Sequence, residues 1–204
     1  RKLQKNLPDV QITWILGVTE AELMQGLENV ELIAFDKKSG LSGIKNLASQ
    51  LSGRRFDVLL QMQLALRANL ISNIISANRR IGYDLQRSKE GHSLFIKERI
   101  VHKHHHVLDV FGLFAEPLGF SQTEVVWNLP VSEQDHQWAK EQWPEGEPCL
   151  LISPCSSHTL RNWSAERYAA VAKHAQAKGW QVVICGGRSA LEREMGNAIL
   201  NQME

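Results

Sequence analysis

The chain has 204 residues, 43% apolar and 22% charged, an ordinary globular composition with length for one large domain or two small ones. Its formal charge of +1 gives no polybasic field of the kind that marks a nucleic-acid binder, so no nucleic-acid partner is expected. Three cysteines, Cys149, Cys155 and Cys185, lack paired spacing, which argues against a disulfide framework and fits a reducing cytoplasm.

No signal peptide is visible and no apolar run is long enough to cross a bilayer, so any membrane association is expected to be peripheral. The chain opens on Arg1 inside a helical pattern and closes on Met203 and Glu204 inside another; both ends read as cut. Residues 2–6 read as a helix tail stopped near Pro8, and residues 11–16 as a strand. Thr19 is placed to cap a helix over 20–26, and residues 30–35 read as a second strand. Leu41, Ile44, Leu47 and Leu51 recur at helical spacing and predict a helix over 40–51, closed by Gly53. Residues 56–62 read as a buried strand of a parallel sheet. Leu66, Leu70 and Ile74 predict a helix within 64–77, and residues 80–83 a short strand. Alternating strands and helices predict an α/β layered domain.

Residues 88–99 read as a loop with a short strand at 94–96. Residues 104–118 read as a helix with Val107, Val110, Phe111 and Phe114 inward, closed by Gly119, and residues 125–127 as a short strand. A helix over 132–143 has Ser132 as N-cap and Asp135 at N3. The sequence PEGEP at 144–148 is the clearest break in the chain. The pattern then restarts: strand 149–153, polar loop 154–162, helix 163–178 with Tyr168, Val171, Ala172 and Ala175 inside, Gly179 as C-cap, strand 181–185, a turn at Gly186 and Gly187, and helix 190–202. The expected organisation is a first domain over 1–143, a linker at 144–148 and a second α/β unit over 149–204. All the tryptophans except Trp163 are expected in core patterns.

Four stretches can carry chemistry. The stretch 152–164 lies at the carboxyl end of a strand, the edge where open α/β sheets bind ligands. It gathers the hydroxyls of Ser156, Ser157 and Thr159, turn amides, and Arg161, which can grip a phosphate with two parallel hydrogen bonds ahead of a helix N-terminus. The alternative is a polar loop in which Ser164 merely caps the helix. At the second stretch, Gly186 and Gly187 let the backbone approach a ligand closely, and Glu192 can accept from ribose hydroxyls or be an ordinary first-turn glutamate. No G-x-G-x-x-G is present, which disfavours a dinucleotide dehydrogenase. The third stretch is the histidine run of His102, His104, His105 and His106. Only His102 and His106 have helical ligand spacing, without a supporting carboxylate or cysteine motif, so no metal site is expected. At the fourth, Gln61, Gln63 and Arg67 follow a buried strand; Gln63 and Arg67 can face an anionic acceptor, or Arg67 can lie on a solvated helix surface.

Taken together, these segments resemble the bacterial ADP-heptose:lipopolysaccharide heptosyltransferases. Residues 154–163, the helix start AERYAAV at 165–171 and GWQVVICGG at 179–187 are similar to the start of that family's donor domain. FDVLLQMQ at 56–63 and RRIGY at 79–83 resemble its acceptor domain. The resemblance implies two Rossmann-like α/β domains facing a cleft (GT-B), no metal and no cofactor. It also implies heptose transfer from an ADP-sugar to the lipopolysaccharide inner core, at the cytoplasmic face of the inner membrane. By position, Ser156, Ser157 and Arg161 would contact the donor phosphates, and Gly186, Gly187 and Glu192 the donor nucleoside. Gln63 and Arg67 are the acceptor-side candidates. Leu64 stands where that family usually has glycine, and Gln61 where it often has aspartate. The loop carrying the general-base aspartate is expected before Arg1, and an Asp-Thr/Ser-Gly-x-x-His segment after Glu204, so residues 1–204 alone are expected to be inactive. The competing readings are a GT-B transferase for another nucleotide sugar and a non-catalytic nucleotide-sugar-binding module.

Overall fold

Among the described residues every strand pairs in parallel, and a helix stands between each strand and the next. This follows from connections too long for hairpins and strands apolar on both faces. The computed structural model describes residues 2–103, 106–120, 127, 129–143, 146, 148–156 and 158–203. They divide into two compact units, Arg1–Val131 and Ser132–Glu204.

The first unit runs α1 (Lys2–Asn6), β1 (Ile12–Gly17), α2 (Val18–Leu23), β2 (Val30–Phe35), α3 (Gly40–Gln50), β3 (Phe56–Leu60), α4 (Leu66–Ile74), β4 (Ala77–Gly82), α5 (His92–Phe95), β5 (Glu98–Arg99) and α6 (Val107–Leu113). β1 pairs with β2, and β3, β4 and β5 form a second parallel sheet. β3 is covered on both faces. Val58, Leu60 and Met62 join a core of Ile81, Tyr83, Ile100, Val110, Leu113 and Phe114. Leu59 faces a second core built from Ile33 and Phe35 of β2, Leu47 of α3, Leu51 and Ile75. Tyr83 meets Phe114 edge-on at 5.1 Å.

Several expectations change in this unit. Thr19 lies inside α2, whose N-cap is Gly17 without a side-chain bond. The expected strand at 94–96 is instead the end of helix α5, followed by β5. Val107 and Phe111 are exposed, and Val110, Leu113 and Phe114 do the burying. On α4, Leu66, Leu70 and Ile74 face outward while Asn69 and Ser72 are buried. That helix is held by polar contacts rather than by its apolar stripe. Its last carbonyls, from Ser72 and Ile75, accept from the Arg80 guanidinium, and its first amide, Leu66, donates to the Glu90 carboxylate. Each end of α4 therefore has some of its orphan backbone groups satisfied by a side chain.

Gly82 is required by close approach. A Cβ there would sit 2.5 Å from His92 Nε2 and 2.6 Å from Ile96 Cγ1, and both side chains are buried. Gly82→Ala is expected to cost about 1–3 kcal/mol by overpacking, read as a lowered denaturation midpoint at unchanged m-value.

The second unit holds α7 (Glu133–Gln142), β6 (Cys149–Ile152), α8 (Ala165–Ala177), β7 (Gln181–Ile184) and α9 (Ala190–Asn201). A capping box between Ser132 and Asp135 starts α7. The segment 144–148 follows α7 inside this unit; its residues 144, 145 and 147 lie outside the described ones, as do residues 125 and 126 of the strand expected at 125–127. β6 and β7 pair in parallel, Cys149 opposite Gln181 and Ile152 opposite Ile184. Ala169, Ala172 and Ala175 form the buried face of α8, so its expected inner residue Val171 is exposed. Gly179, at φ 79°, takes the left-handed conformation that ends the helix. Trp14, Trp127, Trp138 and Trp180 are exposed rather than in the core; Trp138 stacks edge-on against Trp143 at 5.4 Å.

Candidate functional site

In the second unit the carboxyl ends of β6 and β7 open on a cleft of about 320 Å³, lined by Pro154, Cys155, Cys185, Gly186, Gly187 and Glu192 among others. Three of the expected donor residues, Gly186, Gly187 and Glu192, thus share one wall. The Glu192 carboxylate shapes that wall. It accepts from the Gly187 amide at 2.8 Å and from the Ser189 hydroxyl at 2.6 Å, while Ser189 Oγ caps α9 by accepting from the Glu192 amide at 3.3 Å. The Ser189 and Gly187 hydrogen bonds hold the Glu192 carboxyl below its ordinary range. Ser189-x-x-Glu192 is a capping-box pattern that the sequence already displays, and it gives Glu192 a structural task beside any ligand contact.

The loop from Pro154 crosses the end of β6. Ser156 is tied locally: its amide donates to Asn162 Oδ1 at 2.7 Å, and its hydroxyl donates to the His158 carbonyl at 3.0 Å. Asn162 is a site-shaping residue that sequence reasoning missed, because nothing in a serine followed six residues later by an asparagine signals a pairing. Ser157 lies outside the described residues. Arg161 ends a short 3₁₀ turn, Thr159–Arg161, whose backbone closes through the bond from its amide to the His158 carbonyl at 3.0 Å. Its side chain is exposed, and its guanidinium has no hydrogen-bond or carboxylate partner among the described residues. Ser164 is the N-cap of α8 without a side-chain cap bond. The half-exposed Trp163 packs edge-on against Tyr168 at 5.4 Å, with Arg167 5.7 Å above its ring. Burial pushes the Cys155 thiol up, and the nearby Glu192 adds to this, so Cys155 is a protonated wall residue.

In the first unit, Gln63 and Arg67 are exposed on the segment between β3 and the first turn of α4. Beneath them lies a buried polar network. Gln61 Nε2 donates to the Gln63 carbonyl at 3.1 Å and to Asn69 Oδ1 at 3.3 Å. Asn69 Nδ2 donates to the Glu90 carbonyl at 3.1 Å. His92 Nδ1 meets Asn69 Oδ1 at 2.9 Å, and His92 Nε2 accepts from the Tyr83 amide at 3.0 Å. The amide donor fixes the tautomer: Nε2 is the bare nitrogen and Nδ1 carries the proton.

The two described histidines of the run do not converge. His102 Nδ1 faces Asp84 at 3.0 Å, whereas His106 Nδ1 accepts from the Leu108 amide at the start of α6; His104 and His105 lie outside the described residues. Burial pushes the Asp84 carboxyl up, but hydrogen bonds from Arg87 and His102 outweigh it and hold the group below its ordinary range.

A larger cleft, about 530 Å³, opens at the amino ends of β1 and β2. Two of its charges satisfy each other: Arg54 forks onto Glu31 at 2.9 and 2.6 Å and reaches Thr13 at 2.9 Å. Hydrogen bonds from Arg54 and Thr13 hold Glu31 down at about 2. A carboxylate so firmly ionised is no proton shuttle near neutral pH, and this edge is the one that α/β sheets leave without ligand.

Residues 44–204 match the profile of glycosyltransferase family 9 (heptosyltransferase). The chain is 39% identical over 194 residues to the lipopolysaccharide core heptosyltransferase OpsX of Haemophilus influenzae, covering 95% of this chain and 56% of that protein. It thus spans little more than half the length of that relative. Among solved structures it resembles a glycosyl transferase family 9 protein of Veillonella parvula (TM-score 0.81, 21% identity, 99% of this chain and 60% of that one). It also resembles E. coli heptosyltransferase WaaC with ADP-2-deoxy-2-fluoro heptose (0.77, 16%, 99% and 67%) and E. coli ADP-heptose lps heptosyltransferase II (0.72, 20%, 100% and 63%). These likenesses show the fold, the parallel α/β architecture of the GT-B heptosyltransferases. By its profile match and its 39% identity to OpsX, the chain belongs to glycosyltransferase family 9, the heptosyltransferases.

Proposed function

We propose that the protein containing this chain transfers heptose from ADP-heptose to the lipopolysaccharide inner core, at the cytoplasmic face of the inner membrane. The observation that carries the reading is the 39% identity to a lipopolysaccharide core heptosyltransferase along 95% of the chain. The cleft at the carboxyl ends of β6 and β7 supports it chemically. Gly186 and Gly187 line that cleft on the nucleoside side, and on the loop after β6 Arg161 and Ser157, with Ser156 once its hydroxyl leaves the His158 carbonyl, supply donors for a diphosphate. The reaction is displacement at the anomeric carbon of the donor. A carboxylate from outside residues 1–204 takes the proton of the acceptor hydroxyl, and Arg161 with the loop amides stabilises the charge developing on the departing diphosphate. Gln63 and Arg67 face the acceptor.

The domain reading belongs to the same proposal: an acceptor domain over 1–143, a linker at 144–148, and the first half of a donor domain over 149–204. The two sheets of the first unit support it. They share the core around Ile33, Leu47 and Leu59 yet pair with each other nowhere among the described residues, as expected if a further strand of the protein completes one sheet.

A donor panel tests the function. The full-length protein is expected to turn over ADP-heptose with a lipopolysaccharide inner-core acceptor and to leave UDP-sugars untouched. Turnover of a UDP-sugar alone would replace the donor, and nucleotide binding without transfer to any acceptor would reduce the protein to a binding module.

A further inference from the structure

We propose that the outer face of α4 and α5 is a docking surface for an anionic lipid bilayer, which brings the acceptor-side edge at Gln63 and Arg67 against the membrane. The proposal deepens the reading above and rests on it only for the acceptor being a membrane-borne glycolipid.

The apolar half of the face is unusual for a solvated surface. Leu66, Leu70 and Ile74 stand one above another on the outward side of α4. α5 packs against α4 through the His92–Asn69 contact. Because His92 points inward, Leu94, two positions on, points away and is 85% exposed. Leu85 and Val101, on the flanking segments, are exposed as well. A soluble surface carries single exposed leucines without consequence, but several gathered on two adjoining helices mark an interaction site.

The charge around them selects the partner. Residues 63–103 hold eight Arg and Lys against three Asp and Glu, in a chain whose overall charge is +1. All three acids are engaged: Glu98 with Arg79, Asp84 with Arg87, and Glu90 with the amide that starts α4. Arg67, Lys89, Lys97 and Arg99 are exposed and have no carboxylate partner among the described residues. Arg99 lies against α5, donating to the Ser93 carbonyl at 3.2 Å; Lys89 and Lys97 stand on either side of that helix. Exposed aliphatic side chains on segments that also carry cations without a carboxylate partner match the headgroup–acyl boundary of an anionic leaflet, where leucine enters the apolar layer and Lys or Arg meets phosphate. A nucleic acid would use the cations but leave the leucines in water.

The test uses the full-length protein and two vesicle preparations, one of equimolar phosphatidylethanolamine and phosphatidylglycerol and one of phosphatidylcholine alone. Co-sedimentation with the first and not the second is expected, weakening as salt rises. Lys89→Glu with Lys97→Glu is expected to weaken vesicle binding by about tenfold or more, and Leu94→Gln to weaken it at every salt concentration. The same variants should keep wild-type transfer to a water-soluble acceptor and lose it to an acceptor embedded in vesicles. Equal binding to both preparations, no binding to either, or binding unchanged in the variants would each overturn the proposal. So would slow labelling of Leu94→Cys by a water-soluble maleimide, which would mean that another part of the protein covers this face. Failure of transfer to every acceptor with the vesicle pattern intact would overturn the function and leave the surface standing.

Discussion

Replacing Arg161 by alanine in the full-length protein is expected to lower kcat/KM for the donor by about 10²–10³-fold, the size of effect seen when one donor to a developing anion is removed. The guanidinium is exposed and unpaired among the described residues, at the end of a turn closed by its own backbone, so removing it should cost the fold within about 0.5 kcal/mol. The loop that presents it is held independently by the Asn162–Ser156 bond. The loss should therefore appear in kcat more than in donor KM, because the charge that Arg161 meets grows as the diphosphate departs. Arg161→Lys should recover part of the rate: lysine restores the charge but not the two-pronged geometry. Unchanged transfer by Arg161→Ala would remove the residue from this role. A matching fall in Tm would reassign it to the fold.

The sequence carried the order of elements because its apolar periodicity is strong where a residue packs on one neighbour only. β2 occupies the predicted residues, and α3 ends one residue short of its prediction. The failures share a cause. On α4 the helical spacing of Leu66, Leu70 and Ile74 was a true helix signal, but the buried side belongs to Asn69 and Ser72. Periodicity counts apolar residues and cannot register a helix held by hydrogen bonds. On α8 the close approach to the sheet selects alanines, so the larger Val171 is left outside. In the candidate site, the glycine turn and the loop after β6 could be placed from their strands. The partner that shapes the loop, Asn162, could not be picked out without distances. Gln61 shows what a departure from the family pattern can mean. Its amide donates both to the Gln63 carbonyl and to Asn69 Oδ1, which an ionised aspartate at that position cannot do.

The network under the acceptor-side segment carries the second large effect, on stability. His92→Ala is expected to cost about 3–5 kcal/mol. The deletion empties a fully buried ring site, strips the Tyr83 amide of its partner and leaves Asn69 Oδ1 with the Gln61 amide alone, adding a cavity to an unmet buried donor. His92→Gln should recover a measurable part, since one amide can donate to Asn69 or accept from Tyr83. Hydrogen exchange at the Tyr83 amide should speed up in both variants. Acid should act on the wild type through the same residue. Burial, and then the charge of Arg99, hold the His92 titration below its ordinary 6.5. The unfolded chain therefore takes up a proton near that pH which the folded chain refuses. The His92 contribution is complete above 6.5 and is lost as pH falls below it. Glu31, held at about 2 against an ordinary 4.5, loses its contribution only as pH falls from 4.5 toward 2. His92 begins to lose its contribution at the higher pH, so a Tm that already declines between pH 6.5 and 4.5 in the wild type, and is flat there in His92→Gln, assigns the step to His92. A wild-type Tm unchanged until pH 4.5 would show that the ring titrates equally in both states and that its hydrogen bonds do not depend on its neutrality.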